Sequence, residues 1–196
     1  MRSQEAELEE RAARILFLSG VKLLSQGEGR RALIRFERAS EIYSERGLKR
    51  GVAECFREMG NVYAFYEEWD KAEECYLRAA ELERASKNWA GLLENLFLLS
   101  YLQLDKNDLD KSFEYAVEAE KVSKKSGDKT GQFQVYRHMG RIYERKWDLK
   151  RARESLEKAI KIGERLGLPE TREVAREITW ILEKEAEAEI RRKNRK

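Results

Sequence analysis

The chain has 196 residues, of which 41% are hydrophobic and 39% charged, and its net charge is +3. Charge stands well above the roughly one quarter of an ordinary globular protein, but the apolar residues keep a helical spacing, which excludes a disordered polymer. No apolar run reaches the ~18 residues of a membrane span, and the acidic residues 1–10 lack the apolar stretch of a signal peptide, so a cytoplasmic protein is expected.

The wealth of Lys, Arg and Glu beside a single His is a thermophile-like composition. Cys55 and Cys75 have no metal-ligand spacing and no partner motif. They read as small buried hydrophobes in a reducing compartment. The charge is uneven: residues 1–130 hold 22 Lys/Arg against 25 Asp/Glu, and residues 131–196 hold 18 against 12.

A first helix is predicted to start near Gln4, its acidic beginning matched to the helix dipole. From there a fixed interval of 40 residues takes over. Gly20, Gly60, Ser100 and Gly140 recur at that interval, as do Ala32, Ala72, Ser112 and Ala152. Ala39, Ala79, Ala119 and Ala159 form an unbroken column, and Ile42, Leu82, Val122 and Ile162 another. A constant period of this size is the signature of a repeat array. The units run over about 12–50, 51–90, 91–130 and 131–169.

In the second unit, Phe56, Met59, Gly60 and Tyr63 fall on one helix face, then Ala72, Tyr76, Ala79 and Leu82 on another. Asp70 is expected to cap the second helix of that unit, as Asp108 and Asp148 do later. Gly47, Gly127 and Gly167 follow second helices where a left-handed residue ends a helix; Lys87 stands in that column beside Asn88. Pro169 stops the last of these helices. Gly20 and Ala32 are small because two antiparallel backbones approach there. Residues 170–190 make a final helix without a partner, and the basic residues 191–196 a tail.

The pattern bulky–x2–bulky–small–x2–Tyr, then Ala–x3–bulky–x2–Ala, resembles the tetratricopeptide repeat (TPR). The second unit carries it as Phe56, Met59, Gly60, Tyr63, Ala72, Tyr76 and Ala79. The fourth carries it as Tyr136, Met139, Gly140, Tyr143, Ala152, Leu156 and Ala159. The unit exceeds the usual ~34 residues and lacks the closing proline. It is similar to the extended class of kinesin light chains, spindle-orientation adaptors and bacterial peptide-sensing regulators. The resemblance implies an all-α fold: a right-handed α-solenoid of four helical hairpins plus a C-terminal capping helix, as one domain over 1–190.

Catalytic chemistry is not expected. Gly27-Glu28-Gly29-Arg30-Arg31-Ala32 has the letters of a dinucleotide loop but follows a helix, where a strand is required. His138 has no nucleophile beside it in a recognisable motif. No cofactor and no metal is implied.

The resemblance places the first helix of each hairpin along a concave groove. Its lining would be Phe17, Val21 and Leu24, then Arg57, Asn61 and Phe65, then Phe97, Tyr101 and Leu104, then Arg137, His138, Arg141 and Arg145. The first three either line the groove or are covered by neighbouring helices. Arg57 and Asn61 resemble half of the carboxylate clamp of chaperone-binding TPR proteins, with Leu98 where that family has a polar residue. An apolar stretch followed by arginines suits a protein or peptide partner with apolar anchors and an acidic end. Two alternatives stay open. One is a self-associating scaffold, a homo-oligomer formed through the groove, Trp89 or Trp180. The other is nucleic-acid binding through residues 137–153 and the basic tail, which Glu144, Asp148, Glu154 and Glu157 dilute.

Overall fold

The computed structural model describes residues 2–193, and all of its regular structure there is α-helical. In chain order the helices are α1 (Arg2–Ser25), α2 (Gly29–Glu45), α3 (Lys49–Phe65), α4 (Trp69–Ala85), α5 (Trp89–Asp105), α6 (Leu109–Ser126), α7 (Lys129–Arg145), α8 (Leu149–Leu166) and α9 (Thr171–Lys193). Four hairpins are thus followed by a single helix. The residues gather into two compact units, Met1–Leu102 and Gln103–Lys196, whose border falls inside α5. Of the expected basic tail, residues 191–193 belong to α9, and residues 194–196 lie outside the described residues.

The small columns mark the close approach within hairpins. A Cβ added at Gly20 would sit 2.6 Å from the Phe36 ring, one at Gly60 2.5 Å from the Tyr76 ring, and one at Gly140 2.6 Å from a Leu156 methyl carbon. Each glycine therefore accepts a large side chain from the second helix. In the third repeat the small position is Ser100, and the corresponding second-helix residue is Ala116. Ala32, Ala72 and Ala152 are wholly buried, as are Ala39, Ala79, Ala119 and Ala159. In the first unit Phe36, Met59 and Val62 fill the core; in the second, Phe133, Leu156, Val174 and Ile181 do so.

The turns share one backbone device. Between repeats, Gly47, Lys87, Gly127 and Gly167 all have positive φ, from 57° to 73°. Within hairpins, Gly27, Glu67, Asn107 and Trp147 take the same left-handed conformation. Trp147 is the misfit, because a bulky residue with φ of 58° is strained and this one is 64% exposed. Trp147→Gly is expected to stabilise the fold by up to about 1 kcal/mol, relieving strain at some cost in chain entropy. Thermal melts would check this; a lower melting temperature would mean that the indole contributes packing worth more than the strain.

Helix starts correct one expectation. Asp108 and Asp148 cap α6 and α8 by accepting from the backbone N–H of Lys111 and Arg151, both at 3.1 Å. Asp70 does not cap α4, which begins at Trp69 after Glu68. The capping column is Glu28, Glu68, Asp108 and Asp148, so Asp70 stands two places late. The longer Glu68 side chain bonds Arg30 and Lys71 instead of the helix start.

A second column couples successive repeats. Tyr43, Glu83, Ser123 and Gly163 occupy one place on the second helices. A Cβ at Gly51 would lie 2.7 Å from the Tyr43 ring, and one at Gly91 would collide with the Glu83 carboxylate. Glu83 is 1% exposed. Burial pushes its carboxyl above the ordinary range and Glu54 adds to this, while Asn88, Arg50 and Arg57 act against it. The folded protein then keeps this proton at a pH where the unfolded chain has already released it. Stability from this site falls as pH rises, from the unfolded carboxylate value of roughly 4.3 up through the higher folded one. Glu83→Gln is expected to be more stable than wild type at pH 7 and to lose this part of the pH dependence. Urea midpoints from pH 4 to 8 would show a persisting slope if the assignment were wrong.

Candidate functional site

The residues expected to line a groove all lie on the first helices of the hairpins. In the first unit these are α1, α3 and α5. Phe17 is half-buried with its ring centroid 5.5 Å from that of Phe36, and Leu24 packs on the same core. Val21 stays 41% exposed. Only one of the three first-repeat positions therefore offers much surface.

On α3, Arg57 is paired with Glu94 of α5 at 2.9 Å and is only 17% exposed. Asn61 accepts a hydrogen bond from the Tyr76 hydroxyl at 2.9 Å and donates to Glu58 at 3.2 Å. Both halves of the clamp-like pair are thus engaged within the unit. Phe65, at the end of α3, is 80% exposed and touches only the edge of Tyr66 among the ring contacts of the described residues. On α5, Phe97 and Tyr101 stack with ring centroids 6.4 Å apart and planes 28° off parallel. Tyr101 is 40% exposed.

Leu104 and His138 are buried, at 7% and 1% exposure, and supply no groove surface. Burial and then the nearby Arg141 charge push the His138 imidazole down to about 4, so it is neutral near pH 7. Leu104 stands one place before the exposed column of Phe65 and Arg145, in the column of Leu24, Ala64 and Glu144, none of which is exposed, and His138 is the buried member of the column of Leu18, Glu58 and Leu98.

In the second unit the arginines of α7 face α9. Arg137 donates to Glu177 at 2.8 Å and to Glu173 at 2.9 Å, and Arg141 donates to Glu177 at 3.3 Å. Glu177 stands 40 residues after Arg137, so it occupies the same frame position on the next first helix. Sequence reasoning placed the arginines in the groove but did not read their partners. The signal was available, because the 40-residue frame continues into α9. Arg145 remains exposed. Burial, and then Glu177, hold the Glu144 carboxyl above its ordinary range.

Trp180 takes the position of Gly20, Gly60, Ser100 and Gly140. A second helix could not approach an indole there as closely as it approaches a glycine. Among the described residues, no group of three His, Cys, Asp or Glu could hold a metal ion, and no helix is long and apolar enough to cross a membrane.

The fold of repeated helical hairpins is shared with several solved structures. The apo form of RapI superposes with a TM-score of 0.83 at 17% identity, over 91% of this chain and 50% of that one. PilF of Pseudomonas aeruginosa gives 0.69 at 19% identity, over 91% and 71%. The TPR-like repeats of a Podosopora anserina kinesin light chain give 0.62 at 13% identity, over 90% and 97%. The fold is a TPR-type helical repeat. The chain spans half the length of RapI. No protein-family model and no curated protein matches it.

Proposed function

We propose that this TPR-type chain is a non-catalytic adaptor that binds a peptide or helix of a partner protein on the groove face of its first helices. The observation that carries this is the aromatic surface of the first unit. Tyr101, stacked on Phe97, is exposed at one groove position, Phe65 at another and Val21 at a third. Aromatic side chains give large rigid contact area and are the usual anchors of protein interfaces. The repeats build an extended surface, whereas catalysis needs a convergent set of polar groups.

The partner in this reading carries bulky apolar anchors, with an acidic stretch addressed to Arg141 and Arg145. Arg137 is held by Glu173 and Glu177, so an acidic partner has to compete for it with α9. The cytoplasm is the proposed setting, supported by two buried cysteines that are not linked.

The test is a pull-down from native lysate with wild type and a Phe65→Ala/Tyr101→Ala variant. Arg141 is left intact because reversing its charge would repel Glu177. Loss of specific partners from the variant supports the groove. An identical partner set from both proteins would sink it, and light scattering on the same samples separates partner capture from self-association.

A further inference from the structure

The first unit has a second recess, away from the groove residues, between the second helices α2 and α4. Its volume is about 730 Å³, within the range that holds specific ligands. The floor is apolar, made by Phe56, Met59, Tyr63 and Cys75. Glu37 on α2 and Glu74 on α4 stand at its walls. Neither carboxylate has an ion pair among the described residues. The two cations at the rim are already engaged, Lys71 with Glu68 at 2.7 Å and Arg78 with Glu81 at 3.4 Å.

The equivalent place in the second unit, between α6 and α8, shows what such a recess takes. There Tyr136 replaces Phe56, and its hydroxyl donates to Glu120 at 2.7 Å. Lys158, in the frame position of Arg78, lies with its ammonium 5.5 Å from the centre of the Tyr136 ring. The chain thus fills one copy of the recess with its own lysines, Lys158 over the Tyr136 ring and Lys124 near that ring and paired with Glu120 at 2.7 Å. In the first unit, Ser40 replaces Glu120; Lys71 at the rim lies 5.3 Å from the centre of the Tyr63 ring, and no cation is seated over Phe56 among the described residues.

We infer that the recess between α2 and α4 is a docking site for a lysine or arginine of a basic segment of another protein, the stem lying over Phe56 and the charge between Glu37 and Glu74. A long cationic side chain fits both parts, because its methylenes cover apolar surface while the head stays near water and charge. The carboxylates supply the complementary sign. Burial pushes the Cys75 thiol of the floor up to about 11, and Glu74 and Glu37 push it the same way.

The probe is a fluorescein-labelled ten-residue peptide of alternating arginine and leucine, read by anisotropy against the full chain at low salt. Saturable binding is expected, with about tenfold loss in Glu37→Gln/Glu74→Gln, as for two partly exposed charge pairs. A graft of the second unit's closure, Ser40→Glu/Phe56→Tyr/Arg78→Lys, is expected to weaken binding likewise. The control Glu154→Gln/Glu157→Gln, around the filled recess, should bind as wild type does, and so should Phe65→Ala/Tyr101→Ala, which separates this site from the groove. Circular dichroism verifies that each variant is helical; if the graft is not, the Glu37/Glu74 pair decides alone. The inference is overturned by absence of saturable binding at millimolar peptide, by equal affinity in the Glu37→Gln/Glu74→Gln variant, by equal loss in the control, or by equal binding of a glutamine–leucine peptide.

Discussion

Gly60→Leu is expected to lower the stability of the fold by about 1–3 kcal/mol, the range for overpacking a filled core. The new Cβ would already lie 2.5 Å from the Tyr76 ring, before the rest of the leucine is counted. Tyr76 cannot swing away cheaply, since it is 3% exposed and its hydroxyl donates to Asn61. The hairpin can respond only by separating α3 from α4 or by expelling the ring. A chain of this length should lose several degrees in melting temperature. The partner variant sharpens the test. Tyr76→Ala alone leaves a cavity and takes the donor from the Asn61 Oδ1, and costs stability in its own right. Combined with Gly60→Leu, the leucine enters the space of the lost ring. The double variant should then be more stable than the sum of the two single losses, a coupling that a double-mutant cycle reads directly. Strict additivity would mean that residues 60 and 76 do not share the contact.

The hairpin frame was legible in the sequence because it rests on what cannot vary. A close helix crossing demands a small residue wherever it recurs, so Gly20, Gly60 and Gly140 mark it in any unit. Turn conformation was half legible. Gly47, Gly127 and Gly167 announced left-handed turns, and Asn107 is of a type that tolerates that conformation, but Glu67, Lys87 and Trp147 adopt it with nothing in their side chains to favour it. There the packing of the flanking helices imposes the turn and overrides local preference. The capping register was misread at Asp70 because a plausible acceptor stood two residues inside the true boundary, where only the frame could arbitrate.

The candidate site was less legible, for a different reason. Groove positions are defined by lacking a repeated packing duty, so no column constrains them. Whether a residue there is exposed depends on what a neighbouring helix happens to present. Phe17 meets Phe36, Arg57 meets Glu94, and Arg137 meets Glu173 and Glu177. Those are pairwise facts, and composition alone does not carry them.

The α7–α9 contact turns this into a second large effect, in which two variants of one interface should change stability alike and ligand binding oppositely. Arg137→Ala removes a guanidinium that bonds both Glu173 and Glu177 and leaves Glu177 without its nearest charge. A fully buried pair broken from one side costs roughly 3–5 kcal/mol. Arg137 and Glu177 keep 19% and 24% of their side-chain surface, so solvent screening brings the expected loss down to about 1–3 kcal/mol. Glu173→Gln/Glu177→Gln loosens the same contact from the other side and should also lower the melting temperature. On an acidic probe, a fluorescein-labelled peptide of leucines and glutamates, the two must diverge. Arg137→Ala removes a cation and binds no better than wild type. The glutamine variant releases Arg137 and Arg141 from their carboxylates and should bind about tenfold more tightly, with the gain shrinking as salt rises. If the glutamine variant gains no affinity, these arginines serve only to seat α9, and any acidic end of a partner must be read by Arg145 or not at all.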